Sequence, residues 1–131
     1  GLRARTSGCV DRPGWRDLPR PAPTHLYARP DPRIDAATLA DSIGRGYRLV
    51  DTLGPGRFDL DGDRLAIPVC GFALRGGSEA EPVTDSWLCG GIGAFLQGIR
   101  AVADDLVFLP LGGLIGSPSL VVGGLELRGA P

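Results

Sequence analysis

The sequence predicts an α+β fold: a strongly bent, mainly antiparallel sheet forming a partial barrel, with two helices. Three observations predict it. Short apolar segments recur between Gly-, Pro- and Asp-containing turns, as in "YRLVDTLGPGRFDLDGDRLAIPVCGFALRGG", Tyr47 to Gly77. Only two stretches carry apolar residues at helical spacing. Several strands linked by hairpins, with two helices inserted, argue against repeated βαβ units. At 131 residues, 43% hydrophobic, the chain suits one domain over residues 1–131.

Residues 1–24 are rich in Arg and Pro and poor in apolar residues, so they read as an irregular lead-in lying on another surface. "THLYARP", Thr24 to Pro30, is a short extended segment, since Pro30 disfavours helix before it. The first helix is expected near residues 36–45. Asp35 is its N-cap, Ala36, Leu39, Ala40 and Ile43 its apolar stripe, and Gly44 and Gly46 its stop. Ile34 and Leu39 are spaced for a hydrophobic staple. "YRLVDTL" reads as a strand, Gly54-Pro55-Gly56 as a turn, and Asp61-Gly62 as a two-residue hairpin loop. Gly76-Gly77 closes the next strand and "EPVTDSWL" begins another. A second helix is expected near residues 92–103, where Ile92, Phe95, Leu96, Ile99 and Val102 form one stripe. "DLVFLPL" and "SLVVGGLEL" are closing strands. The latter is the expected open edge for association, with a bulge or close approach at Gly123-Gly124. Leu39, Ile43 and the second stripe are the expected core.

A net charge of −1 provides no overall attraction to nucleic acid or anionic lipid. No apolar run approaches a membrane span and the N-terminus lacks a signal-peptide core, so a cytoplasmic protein is expected. All 14 basic residues are Arg, and Lys, Asn and Met are absent, a bias expected of a GC-rich genome. The missing Met favours a piece of a longer chain. Cys9, Cys70 and Cys89 are odd in number and widely spaced, which disfavours disulfides.

Five stretches invite a chemical reading, and each has a plainer one. Gly90, Gly91 and Gly93 follow a strand and precede a helix, as in a phosphate loop, but the G-x-G-x-x-G spacing fails and no Lys exists for a Walker loop. A tight strand-to-helix turn is the better reading. His25 with Cys9, Cys70 and Cys89 could supply soft ligands but lacks any zinc-site spacing. "DLDGD" places its glycine too early for a calcium loop and has Cys70 at the twelfth position, so it reads as a hairpin turn. "GSPS" around Ser117 is not a nucleophile elbow. Asp104 and Asp105 are adjacent and read as caps rather than as a catalytic pair. Catalytic, cofactor-binding and metal-binding residues are therefore all expected to be absent.

The order of motifs resembles the C-terminal domain of the TldD/PmbA family of metallopeptidase subunits, PmbA also being called TldE. The likeness runs from about Arg3 to Arg128. "THLYARP" stands where the family has an "NLYL"-like strand, and "GRGYRLVDTLG" resembles its "GL.V....G". "GFALRGGSEAEPV" is similar to "GF.I.NG....PV", and "LCGGIGAFLQGIRAVADDL" to "I.GN...ML..I..IGNDL". "GSPSLVVGGLELRG" resembles the closing "G.P.L.V..L.VGG".

The resemblance implies a cytoplasmic bacterial protease in which TldD- and TldE-type subunits pair around a cavity and cleave unfolded or leader peptides. In the catalytic subunit, zinc is held by a His-Glu-x-x-x-His helix and by a Cys between the "GNDL"-like and "G.P.L"-like segments. Here that stretch, Leu106 to Ser117, contains no Cys, and no His-Glu-x-x-x-His occurs in the chain. The resemblance is thus closer to the metal-free TldE/PmbA type. It implies a non-catalytic domain whose zinc resides in a TldD-like partner, or else self-association. A stand-alone binding or assembly module reusing the fold is the alternative.

Overall fold

The computed structural model describes residues 10–22, 25–110 and 114–129. Cys9 and residues 111–113 fall outside them, as does the side chain of His25. The strands are β1 (Val10–Asp11), β2 (Arg20–Pro21), β3 (His25–Tyr27), β4 (Arg45–Thr52), β5 (Arg57–Asp59) and β6 (Arg64–Arg75). They continue as β7 (Ser78–Gly90), β8 (Ile99–Val102), β9 (Val107–Pro110), β10 (Leu114–Ser117), β11 (Leu120–Val122) and β12 (Glu126–Gly129). Helices α1 (Ala36–Leu39) and α2 (Ile92–Gln97) are both short.

The centre is the long β6–β7 hairpin. Its two-residue loop, Gly76-Gly77, has φ of 58° and 82°. A tight hairpin loop that follows the strand twist needs positive φ at both positions, which is why glycine stands at each. β4 and β5 lie end to end along the other side of β6, β5 against Arg64–Ala66 and β4 against Val69–Arg75. With β12 beyond β7, the order is β12-β7-β6-β4, with β5 also on β6. The register shifts twice between β6 and β7 and once between β4 and β6. Bulges of this kind bend a sheet, and Asp85, with φ 49°, sits in one of them.

The remaining ladders are β1–β2, β8–β11 and a three-stranded β3-β10-β9 in which β10 runs parallel to β3. The expected bent antiparallel character is present. Among the described residues the strands form four sheets, strongly bent but not closed into a barrel. "SLVVGGLEL" is likewise divided at Gly123–Leu125 into β11 and β12, which belong to different sheets.

Asp35 caps α1 as expected, its Oδ1 accepting from the Ala37 N–H at 2.8 Å. The helix passes into a 3-10 turn over Ala40–Ser42, and β4 begins at Arg45 rather than after a helix to residue 45. The hairpin at Asp61-Gly62 forms with a longer loop, Leu60 to Asp63, than two residues.

The second helix is the main correction. It stops at Gln97, and Ile99–Val102 is strand β8. Gly98 is the reason. Its N–H bonds the Ala94 carbonyl at 2.8 Å and its carbonyl accepts from Gly123 N–H at 2.9 Å. Pairing of β8 with β11 therefore starts where glycine makes helix least favourable. Consequently Leu96 is 62% exposed, and Leu39, Ile43, Ile92, Phe95, Ile99 and Val102 are half-buried rather than core.

The buried apolar residues among those described are Leu65, Val69, Leu74 and Ala103. The accessible surface is 9928 Å², against about 6,600 Å² for a compact globule of this mass. Contacts between elements are almost wholly those of strand ladders. Among the described residues no helix packs extensively against a face of the sheet.

Candidate functional site

The glycines before α2 meet a carboxylate of the chain. Asp63 Oδ1 accepts from the Gly93 N–H at 2.8 Å, and its Oδ2 lies 2.8 Å from where a side chain at Gly91 would begin. Asp63, at φ 48° in the β5–β6 loop, thus caps a helix 30 residues further along the chain. Asp63→Ala should cost about 2 kcal/mol, roughly half from the lost cap and half from φ strain. Asp63→Asn, which tolerates that backbone and retains an acceptor, should cost much less. Urea midpoints of the two variants check this.

The other sequence candidates are similarly absorbed. In "DLDGD", Asp59 accepts from Gly62 N–H at 2.9 Å and so closes the hairpin. Asp104 and Asp105 serve different segments. Asp104 accepts from Ala36 N–H at 3.2 Å, and Asp105 accepts from the Ser119 N–H and hydroxyl at 2.7 and 2.6 Å. Those bonds from Ser119, the hydroxyl's first, hold the Asp105 carboxyl below its usual range. The Ser117 hydroxyl donates to Pro118 O at 3.0 Å. Cys70 and Cys89 are half-buried free thiols on β6 and β7. Among the described residues no group of three or more His, Cys, Asp or Glu is placed to hold a metal, so they do not fit a zinc ion.

What the fold does assemble is an open edge and two concavities. Among the described residues β4 and β5 pair with β6 only, leaving their outer edge open. Tyr47, Val50, Leu53 and Phe58 on and between these strands are each more than half exposed. The first concavity, about 490 Å³, lies beside β5 at one end of the sheet and is lined by Arg57, Arg64 and Arg128 among others. Arg57 there stacks on Trp87 at 5.1 Å, and Arg128 is paired with Glu126 at 2.6 Å. The second, about 550 Å³, lies between residues 29–34 and β8.

One wall of this second groove is rigidified by charge. Arg33 donates to Asp31 through both Nε and Nη2, at 2.9 and 2.8 Å, and through its backbone N–H at 3.0 Å. The side-chain bonds, then the backbone one, bring the Asp31 carboxyl down to about 2 from 3.8. Any stability this depressed value provides is present above the unfolded value and lost as pH falls through about 2. An NMR titration should find the Asp31 midpoint near 2, returning toward 3.8 in Arg33→Ala. An unchanged midpoint in that variant would show that the bidentate pair does not persist in solution. Sequence reasoning missed both grooves, since their arginines are far apart in the chain.

Among the described residues no helix is long and apolar enough to cross a membrane. The comparison with curated proteins finds no match. Solved structures do match. TldE from Thermococcus kodakarensis aligns with TM-score 0.77 at 15% identity over 95% of this chain and 28% of that one. A protein from Thermotoga maritima, described as a candidate modulator of DNA gyrase, aligns with TM-score 0.69 at 20% identity, over 79% of this chain and 24% of that one. One from Bacteroides thetaiotaomicron, described likewise, gives TM-score 0.63 at 19% identity, over 73% and 21%. At such identities these likenesses establish the fold, and the chain spans only about a quarter of each structure's length. The family described as "PmbA/TldA metallopeptidase C-terminal domain" matches residues 2–129. That match covers nearly the whole sequence, and so the chain belongs to the PmbA/TldD family, as its C-terminal domain.

Proposed function

We propose that this chain is the C-terminal domain of a non-catalytic, TldE-type subunit of a two-subunit protease. It helps enclose the cavity in which a zinc-bearing TldD-like partner cleaves unfolded or leader peptides in the cytoplasm. The observation that carries the reading is the under-covered sheet. An accessible surface about half again that of a compact globule, with an open apolar edge at β4–β5, suits a domain built against other protein. The family membership supports the protease setting. The lack of any Cys in Leu106–Ser117 supports the non-catalytic type, because the family's Cys ligand belongs there.

Co-expression with a partner carrying His-Glu-x-x-x-His tests this. The two should co-purify at equal stoichiometry, with zinc in the partner and cleavage of unfolded peptide only by the pair. Zinc bound one-to-one by this subunit alone, with peptide cleavage, would overturn the assignment.

A further inference from the structure

We propose that the groove between residues 29–34 and β8 binds an extended, acidic peptide segment, which pairs with the open edge of β8. This rests on the peptide-handling reading above and adds a preference for carboxylate side chains.

The groove follows a strand edge. Side chains of a strand alternate between its two faces, so a cavity lined by consecutive residues lies along the backbone edge between them. All four residues of β8, Ile99 to Val102, line this one. Among the described residues β8 pairs with β11 on one side only, which leaves a row of backbone donors and acceptors facing the groove. The opposite wall is held at a fixed distance, because Asp104 N–H, just past β8, bonds Ile34 O at 3.0 Å. Pro30 and Pro32 in that wall have no N–H with which to close the edge themselves. An edge of four residues is about 13 Å long and takes about four residues of extended peptide.

The charge around this edge selects the occupant. Arg29, Arg33 and Arg100 line the groove with one acid, Asp31. Asp31 is taken by Arg33, whereas Arg29 and Arg100 enter no ion pair among the described residues and are exposed. The Arg100 guanidinium lies flat beside Gly123, within 2.8–2.9 Å of where a side chain there would start, so glycine leaves the room it occupies. Arg29, unpaired among the described residues and lining the groove, suits a strand carrying carboxylates through charge-assisted hydrogen bonds, and Arg100, whose guanidinium lies over Gly123 toward β11, adds positive charge at longer range. The chain's net charge of −1 makes this a local property, unlike the broad basic surface that nucleic acid requires.

Fluorescence anisotropy on the full chain tests the proposal with three labelled peptides: alternating Glu and Val, the same with Lys for Glu, and the Glu peptide with proline at every second position. The Glu peptide should bind at least about tenfold more tightly than the other two. Arg29→Glu should weaken it about tenfold or more, and Arg100→Glu by less. Arg29 makes no ion pair among the described residues, so its variant tests the groove even if Arg100→Glu misfolds. Equal affinity for Glu and Lys peptides, indifference to Arg29→Glu, or displacement by oligothymidine at equal charge would each overturn the proposal. Pairing with the zinc-bearing partner is read separately. A pair that assembles and cleaves without acidic preference refutes the groove alone, and acidic binding without such a partner refutes the protease setting alone.

Discussion

Gly71→Ala should destabilise the protein by at least about 3 kcal/mol, a large part of the margin of a small domain. Gly71 is buried in the middle of β6, opposite Leu49 on β4 and Val83 on β7. A methyl group there would run into the Arg48 carbonyl oxygen and lie 2.9 Å from both Arg48 C and Leu49 Cα. The obstacle is backbone, so no rotamer change relieves it. Either β4 leaves β6 or β6 itself distorts. The β4 register shift between Leu49 and Asp51 is adjacent to this contact, so the close approach is built into the bend of the sheet. Gly44→Ala is the control. It has nothing within 4 Å of the added carbon, and should change stability by less than about 1 kcal/mol. Urea unfolding measures both. In Gly71→Ala, hydrogen exchange should also show β4 amides losing protection before those of the β6–β7 hairpin. A Gly71→Ala variant as stable as wild type would mean that β4 is not seated on β6 in this register.

Features set by residues close in sequence were legible before the structure. Asp35 as a cap and Gly76-Gly77 as the close of a strand each depend on a few neighbouring residues, and both are present. Features set by distant contacts were not legible. The stripe Ile92, Phe95, Leu96, Ile99 and Val102 is helical in period, yet its last two residues are strand, because Gly98 meets Gly123 and β8 finds β11. Nothing in the local pattern signals a partner 25 residues away. The groove is hidden for the same reason: Arg29 and Arg100 share it only because Asp104 holds Ile34 beside the end of β8. That Asp63 would reach the glycines before α2 from another loop could not be read from spacing.

Gly98→Ala should release the helix that the sequence pattern predicts. As a helix residue, alanine is favoured over glycine by about 1 kcal/mol. In the native arrangement the added methyl would strike the Gly123 carbonyl oxygen, lie 3.2 Å from its carbon, and stand 2.8 Å from the Ala94 carbonyl oxygen. Two of these obstacles belong to the turn that joins β11 to β12, and Gly123 N–H to Gly98 O is the bond that opens the β8–β11 pairing. The substitution therefore removes the helix stop and obstructs the strand that competes with it. A loss of about 3 kcal/mol is expected, with the helix gain too small to offset the backbone collision. Far-ultraviolet circular dichroism should show more helix than wild type at temperatures where the variant remains folded. Binding of the acidic peptide should fall with it, because a helical residue 99–102 segment presents no strand edge to the groove. If Gly98→Ala instead matches wild type in stability and helix content, then Gly98 is not what divides α2 from β8. The strand would then have to be imposed by the rest of the fold.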